Sequence, residues 1–302
     1  MNGKTYKWSL RKGGKQERCP QCGKMRFVPF VLTADPTINA GPEYGRCNRE
    51  NSCGYFRYPG SEVKAPTDRE YIPEPPKEPI LIPTDEVMKA YPNYQYNSLL
   101  LAYIPLFGEH WPLVSGRMLA YHCGTGTHGE CIYYQFDGQY VRTAKAILYG
   151  KDGHRVKVED GGLPVWWLHK SPTVAKYTAG KELRQCFFGQ HLLNRYPTAK
   201  VYVVEAEKTA VMMAATDKPG RNRLWLACGG SQMLKGAIDL MPLMGRDVTL
   251  IPDDGQYWNW RRTADAYGWR CLDIEPLKKY HHLPDGCDIW DCREAQLKGG
   301  AQ

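Results

Sequence analysis

The sequence predicts an α/β protein in which a small cysteine-rich module precedes a β-rich middle region and a parallel sheet flanked by helices. Three observations carry this. Two cysteine pairs stand near the N-terminus, Cys19-Pro20-Gln21-Cys22 and Cys47 with Cys53. Short β-prone runs around an Asp-Gly turn fill the middle. From about residue 198, apolar four- and five-residue runs alternate with helical segments, the pattern of a parallel sheet covered on both faces.

The composition is that of a folded chain: 302 residues, 42% hydrophobic, 24% charged and 12% aromatic, with a mean hydropathy of −0.54. Such aromatic content argues against general disorder. No run approaches the roughly 20 apolar residues of a membrane span, so no membrane partner is expected. Met1 to Lys7 leads into further Lys and Arg without an apolar run, and a cytoplasmic location is the expectation. The net charge is +8, and residues 1 to 70 supply +6 of it, thirteen bases against seven acids. That asymmetry points to a polyanion or to a solvated basic face. Eleven cysteines, an odd number in a chain without an export signal, favour metal binding and buried thiols over disulfides.

Boundaries follow from composition. Residues 1–58 form the cysteine module. From Pro59 to Pro92 eight prolines occur in 34 residues, and 59–97 reads as a stiff linker. Residues 98–197 form the β-rich subdomain. It opens on Ser98-Leu99-Leu100-Leu101, a helix start with Ser98 as the cap. Cys131 to Phe136 and Tyr140 to Arg142 flank Asp137-Gly138 as a hairpin. Residues 198–302 hold strands at 201–204, 224–228, 248–251 and 270–274. Helices are expected at 208–215 and 261–267, and 232–244 is apolar at helical spacing.

Cys19, Cys22, Cys47 and Cys53 are the expected structural zinc ligands. Two residues between the first pair let both sulfurs face one point, and the glycine after each pair permits a left-handed turn. The five-residue gap in the second pair is looser than usual. Cys287 with Cys292, and His281-His282, are weaker metal candidates, read more simply as thiols and solvated loop residues. Trp166-Trp167 reads as core. Tyr55, Phe56 and Tyr58 beside Arg46, Arg49 and Arg57, and Trp258 and Trp260 beside Arg261 and Arg262, either stack nucleic-acid bases or pack internally.

Acids fall at strand ends. Glu205 directly follows the strand 201–204, and Asp253-Asp254 follow 248–251 after Pro252. Ligands of open parallel sheets bind there. Carboxylates gathered at such a point repel one another unless a cation sits between them, and Mg²⁺ with oxygen ligands is the usual answer. The plainer alternative is that Glu205 and Glu207 favour a helix start.

Val203-Val204-Glu205-Ala206-Glu207-Lys208-Thr209-Ala210, Ala227-Cys228-Gly229-Gly230, Ile251-Pro252-Asp253-Asp254-Gly255 and Cys287-Asp288-Ile289-Trp290-Asp291 resemble, in order, the motifs of the Toprim domain of bacterial and phage DNA primases. There the glutamate motif often reads V-V-E-G-E-K-D-A and the metal motif D-x-D, and a later D-x-x-D-like element matches Asp288 and Asp291. Here Ala206 replaces the glycine, and Gly255 stands where the second aspartate is usual. The order of zinc ribbon, linker, basic β-rich subdomain and Toprim is also that of those primases. The pattern is similar, too, to Toprim-like proteins of Bacteroides-type mobile elements. The resemblance implies Glu205 as catalytic base and Asp253, Asp254 and Asp288 as ligands of Mg²⁺ or Mn²⁺. It also implies Arg142, Lys145 and Lys208 as nucleic-acid contacts. The partners would be single-stranded DNA, ribonucleotides and a separate helicase, because no G-x-x-x-x-G-K-[ST] is present. Primer synthesis is the expected activity. A non-catalytic Toprim-like DNA binder and a Toprim nuclease are the alternatives.

Overall fold

The computed structural model describes residues 6–50, 52–60, 63, 77–88, 93–217, 220–236 and 238–299. The chain divides into two compact units, 1–76 and 77–302. Most of the proline-rich stretch, including Pro73 to Pro76, lies outside the described residues.

The first unit is an antiparallel sheet of β1 (Trp8–Leu10), β2 (Glu17–Arg18), β3 (Met25–Leu32), β4 (Gly45–Cys47) and β5 (Phe56–Arg57), in the order β1-β3-β4-β5 with β2 also on β3. Alternation along β3 makes two small cores. Phe27 joins Cys19 and Cys47 on one side, while Phe30 and Leu32 pack with Trp8 and Tyr44. Gly45 has no substitute, since a Cβ there would run into the Phe27 ring and the Val28 carbonyl.

The second unit begins earlier than composition suggests. Ile80 and Ile82 are buried. The Ile82 N–H donates to Val141 O at 3.0 Å and the Val141 N–H returns a bond at 2.9 Å, so this stretch of the expected linker is docked on the β-rich region. Proline density marked the boundary, but two isoleucines at period two bury apolar surface regardless of the prolines beside them. The short helix α1 (Thr84–Val87) follows, then α2 (Ser98–Phe107) and α3 (Trp111–Ala120). The cap of α2 is Asn97, not Ser98. Its Oδ1 accepts the Leu99 and Leu100 N–H groups at 3.1 and 3.4 Å, and its Nδ2 donates to Gly124 O and Thr125 Oγ1. Ser98 Oγ instead accepts the Tyr149 N–H.

Strands β6 (Cys123–Thr125), β7 (Cys131–Phe136), β8 (Val141–Ile147) and β9 (Trp166–Trp167) form an antiparallel sheet in sequence order. The β7–β8 turn sits on Asp137, whose Oδ1 accepts the Gln139 and Tyr140 N–H groups. Trp166 is 41% exposed, contrary to its expected place in the core, because β9 is an edge strand. Short helices α4 (Ala175–Thr178) and α5 (Leu192–Arg195) lead to the last layer.

That layer holds β10 (Lys200–Val204), α6 (Glu207–Thr216), β11 (Arg223–Ala227), β12 (Val248–Leu250), α7 (Tyr257–Tyr267), β13 (Arg270–Cys271), α8 (Glu275–Tyr280) and α9 (Ile289–Gly299). The four strands are parallel, in the order β11-β10-β12-β13. Val201, Val203, Leu226 and Leu250 are fully buried, as strands covered on both faces require. The chain steps from β10 one way to β11 and from β12 the other way to β13. With right-handed crossovers this places α6 and α7 on opposite faces and leaves a crevice between the carboxyl ends of β10 and β12. Residues 232–244 are not one helix. Gly236, at φ +107, and Pro242 confine them to two single turns, 233–235 and 241–243. Tyr121 covers the outer side of β11, its hydroxyl donating to Trp225 O at 2.7 Å. Among the described residues no helix is long and apolar enough to cross a membrane.

Replacing Asn97 by Ala is expected to cost about 1–2 kcal/mol in urea unfolding, and Ser98→Ala clearly less. Equal losses would mean that Asn97 is not the cap.

Candidate functional site

The four sulfurs of Cys19, Cys22, Cys47 and Cys53 lie within 4.8 Å of one another, with Cys19 to Cys53 at 3.8 Å and Cys22 to Cys47 at 3.9 Å. A tetrahedral zinc with Zn–S bonds of about 2.3 Å needs sulfur–sulfur edges of about 3.8 Å, so donor type and spacing both fit the ion. The knuckle is built from sequence. The Gly23 N–H donates to Cys19 O with Gly23 at φ +68, and the Cys53 N–H donates to Arg49 O. A backbone hydrogen bond at Lys24 brings the Cys22 thiol down to about 6, while burial and the neighbouring thiols raise Cys47 and Cys53. Tyr55 packs on Phe27 at 6.0 Å beside the cluster, whereas Phe56 and Tyr58 remain largely exposed.

The second site lies in the crevice between β10 and β12. Glu205, buried, extends from the end of β10, and its Oε1 accepts the Asp253 N–H at 3.3 Å. Asp288 and Asp291 reach the same place from the start of α9. Each carboxylate accepts the other residue's N–H at 2.9 Å, a reciprocal cap that fixes both. Thr209, on α6, donates to Asp288. Burial pushes Asp253 up to about 8, with the charges of Glu205, Asp288 and Asp291 adding to the rise. Glu205 is raised by burial and by Asp288, and Asp291 by burial and by Asp288. The charge of Lys208 opposes the rise at Asp253 and Asp291, and its Nζ donates to Gly153 O at 3.3 Å. The crevice is thus a set of hard oxygen donors with a surplus of negative charge. Among the described residues only the cysteines bring three or more such ligand atoms within 4.8 Å.

Of the expected site residues, the structure joins Glu205 to the Asp253 N–H and sets Asp288 near enough for its charge to raise both, and it leaves Asp254 out. Asp254 accepts from Lys278 Nζ at 2.7 Å and from the Gly286 N–H at 3.0 Å, which lowers its pKa. Adjacent residues on extended chain point apart, and here the second aspartate ties the loop to α8. Asp291, the second acid of the D-x-x-D-like element with Asp288, also acts on the group through its charge. Lys145 is not an open phosphate contact. Its half-buried side chain pairs with buried Glu207 at 2.6 Å, an ion pair joining β8 to α6. Arg142 is held by Asp137 at 2.8 Å. Trp258 is 74% exposed, while Trp260 is buried with its Nε1 donating to Ser231 O.

Comparison with known families follows this division. A family described as a domain of unknown function, DUF6371, matches residues 104–254, half of the chain, and the chain belongs to that family. The match takes in Glu205 and Asp253 and ends at Asp254. A family described as a zinc beta-ribbon finger matches residues 6–68 and encloses all four cysteine ligands. No curated protein and no solved structure matches the sequence.

Purified protein is expected to carry one zinc ion per chain by elemental analysis. Cys47→Ser should lose it and render residues 6–60 protease-sensitive while 77–299 resist. Zinc retained by that variant would contradict the assignment.

Proposed function

We propose that this protein is a primase-like nucleotidyltransferase acting on single-stranded DNA during replication of a mobile element or phage, with residues 198–302 as a Toprim-like domain. The observation that carries the reading is the contact of Glu205 with the Asp253 N–H where the strand order of the parallel sheet reverses, with Asp288 and Asp291 close enough for their charges to act there. Four acids without a matching set of protein cations suit a divalent ion. Asp253, Asp288 and Asp291 would hold Mg²⁺ or Mn²⁺, which when bound orients and neutralises a nucleoside triphosphate. Glu205, whose burial raises its proton affinity, is suited to take the proton of the attacking 3′-hydroxyl. Lys208, at the crevice, is the cation available to a phosphate. The zinc ribbon would contact the template. Unwinding falls to a separate helicase.

A second reading, a DNA-binding protein without catalysis, is favoured by one observation. Asp254, the residue available to complete a D-x-D-like pair, is engaged by Lys278.

A primer-synthesis assay on mixed single-stranded templates with ribonucleotides and Mg²⁺ or Mn²⁺ separates the readings. The wild type is expected to make primers and Glu205→Gln to lose at least about a hundredfold in rate, with DNA affinity nearly unchanged. Normal synthesis by Glu205→Gln would overturn the catalytic role. No product under either metal would leave the binding reading, and DNA cleavage without nucleotides would assign a nuclease.

A further inference from the structure

The β6–β9 sheet has a second face, turned away from the acidic crevice. Ile132, Ala146 and Trp166 stand in register across β7, β8 and β9, and a cleft of about 500 Å³ opens over them. Lys145 precedes Ala146 on β8 and so points to the opposite face, toward Glu207. The volume lies within the range of small-molecule sites, roughly 300–1,000 Å³.

Leu163 and Pro164 also line the cleft, and Trp166 presents a large ring that is 41% exposed. An aromatic ring left half in water at an apolar concavity is a stacking surface without its partner. The turn 126–130 adds Thr127, His128 and one carboxylate, that of Glu130, to this otherwise apolar lining. Glu130 is 14% exposed, its Oε2 accepting the His128 N–H at 2.9 Å and its Oε1 facing His128 Nδ1 at 3.4 Å. The carboxylate lies against Gly126, where a Cβ would collide with it. The turn thus fixes its position, and each oxygen, already facing His128, has a further lone pair with which to accept.

We propose that this cleft binds a guanine base, stacked on Trp166 and read by Glu130. An ionised carboxylate only accepts hydrogen bonds, and it offers two oxygens side by side. Guanine alone among the four RNA bases presents two adjacent N–H donors, N1–H and N2–H, on its Watson–Crick edge. Adenine and cytosine pair one donor with a ring-nitrogen acceptor, and uracil flanks its one donor with two carbonyls, so each would turn a lone pair toward the carboxylate. No Lys or Arg lines the cleft, so the site reads the base and leaves the phosphate in solvent. The inference goes beyond the proposed activity and does not require catalysis at Glu205.

Calorimetric titration of the full chain with GMP, AMP, CMP and UMP tests it. GMP is expected to bind about tenfold or more tightly than the others. Glu130→Gln should remove that preference, Trp166→Ala should weaken GMP binding about tenfold, and Trp166→Phe should retain part of it. Glu205→Gln should bind GMP as the wild type does, which separates this site from the crevice. Tighter binding of a nonanucleotide of thymidines with one central dG than of GMP would identify the source as a strand, and the reverse a free nucleotide. Equal affinity for all four nucleotides, no binding at about 1 mM, or full GMP affinity in a folded Glu130→Gln protein would overturn the proposal.

Discussion

The crowding of Glu205, Asp253, Asp288 and Asp291 is the constraint on which the candidate site depends. Four acids converge where burial makes each charge costly, and what offsets them among the described residues is the backbone N–H groups of Asp253, Asp288 and Asp291, a hydroxyl from Thr209 and the charge of Lys208. Asp253 consequently holds its proton into the neutral range. A fold does not gather such groups for stability, because each uncompensated charge in a low-dielectric crevice works against folding. The strand order concentrates them: β10 and β12 lie side by side while the chains leaving them depart in opposite directions, so both following loops open on the same space.

A second buried charge pair connects this crevice to the rest of the unit. Glu207 opens α6 two residues after Glu205, and Lys145 reaches it from β8. Removing one member of such a pair leaves an unpaired buried charge, a loss of about 3–5 kcal/mol. The pair therefore fixes the β-rich sheet on the parallel one and sets the start of α6 beside Glu205. Lys145 is spent on this contact, and Lys208 is a cation beside the crevice acids.

Much of the architecture was legible because it depends on local signals. The cysteine spacing, the Asp137-Gly138 turn and the alternation of apolar strands with helices after residue 198 each act within a few residues. What escaped depends on tertiary neighbours. Residues 232–244 have helical spacing, but Gly236 and Pro242 interrupt it. Asn97 and Ser98 are both good caps, and the bonds from Asn97 Nδ2 to Gly124 O and Thr125 Oγ1 choose between them. Glu205, Asp253 and Asp288 could be singled out from strand ends and motif order. The engagement of Asp254 by Lys278 and of Lys145 by Glu207 required partners 24 and 62 residues away in sequence. Trp166 looked like core because tryptophan usually is, and its exposure follows from the edge position of β9.

The central claim is that the crevice seats a divalent cation. It is tested most directly by titrating zinc-loaded protein with Mn²⁺ at pH 7 in two buffers of different ionisation enthalpy. Binding at the crevice should displace about one proton per ion, because Asp253 must give up the proton it holds, and Asp253→Asn should abolish that release together with most of the affinity. Absence of Mn²⁺ binding, or binding without proton release that survives the substitution, would contradict the account.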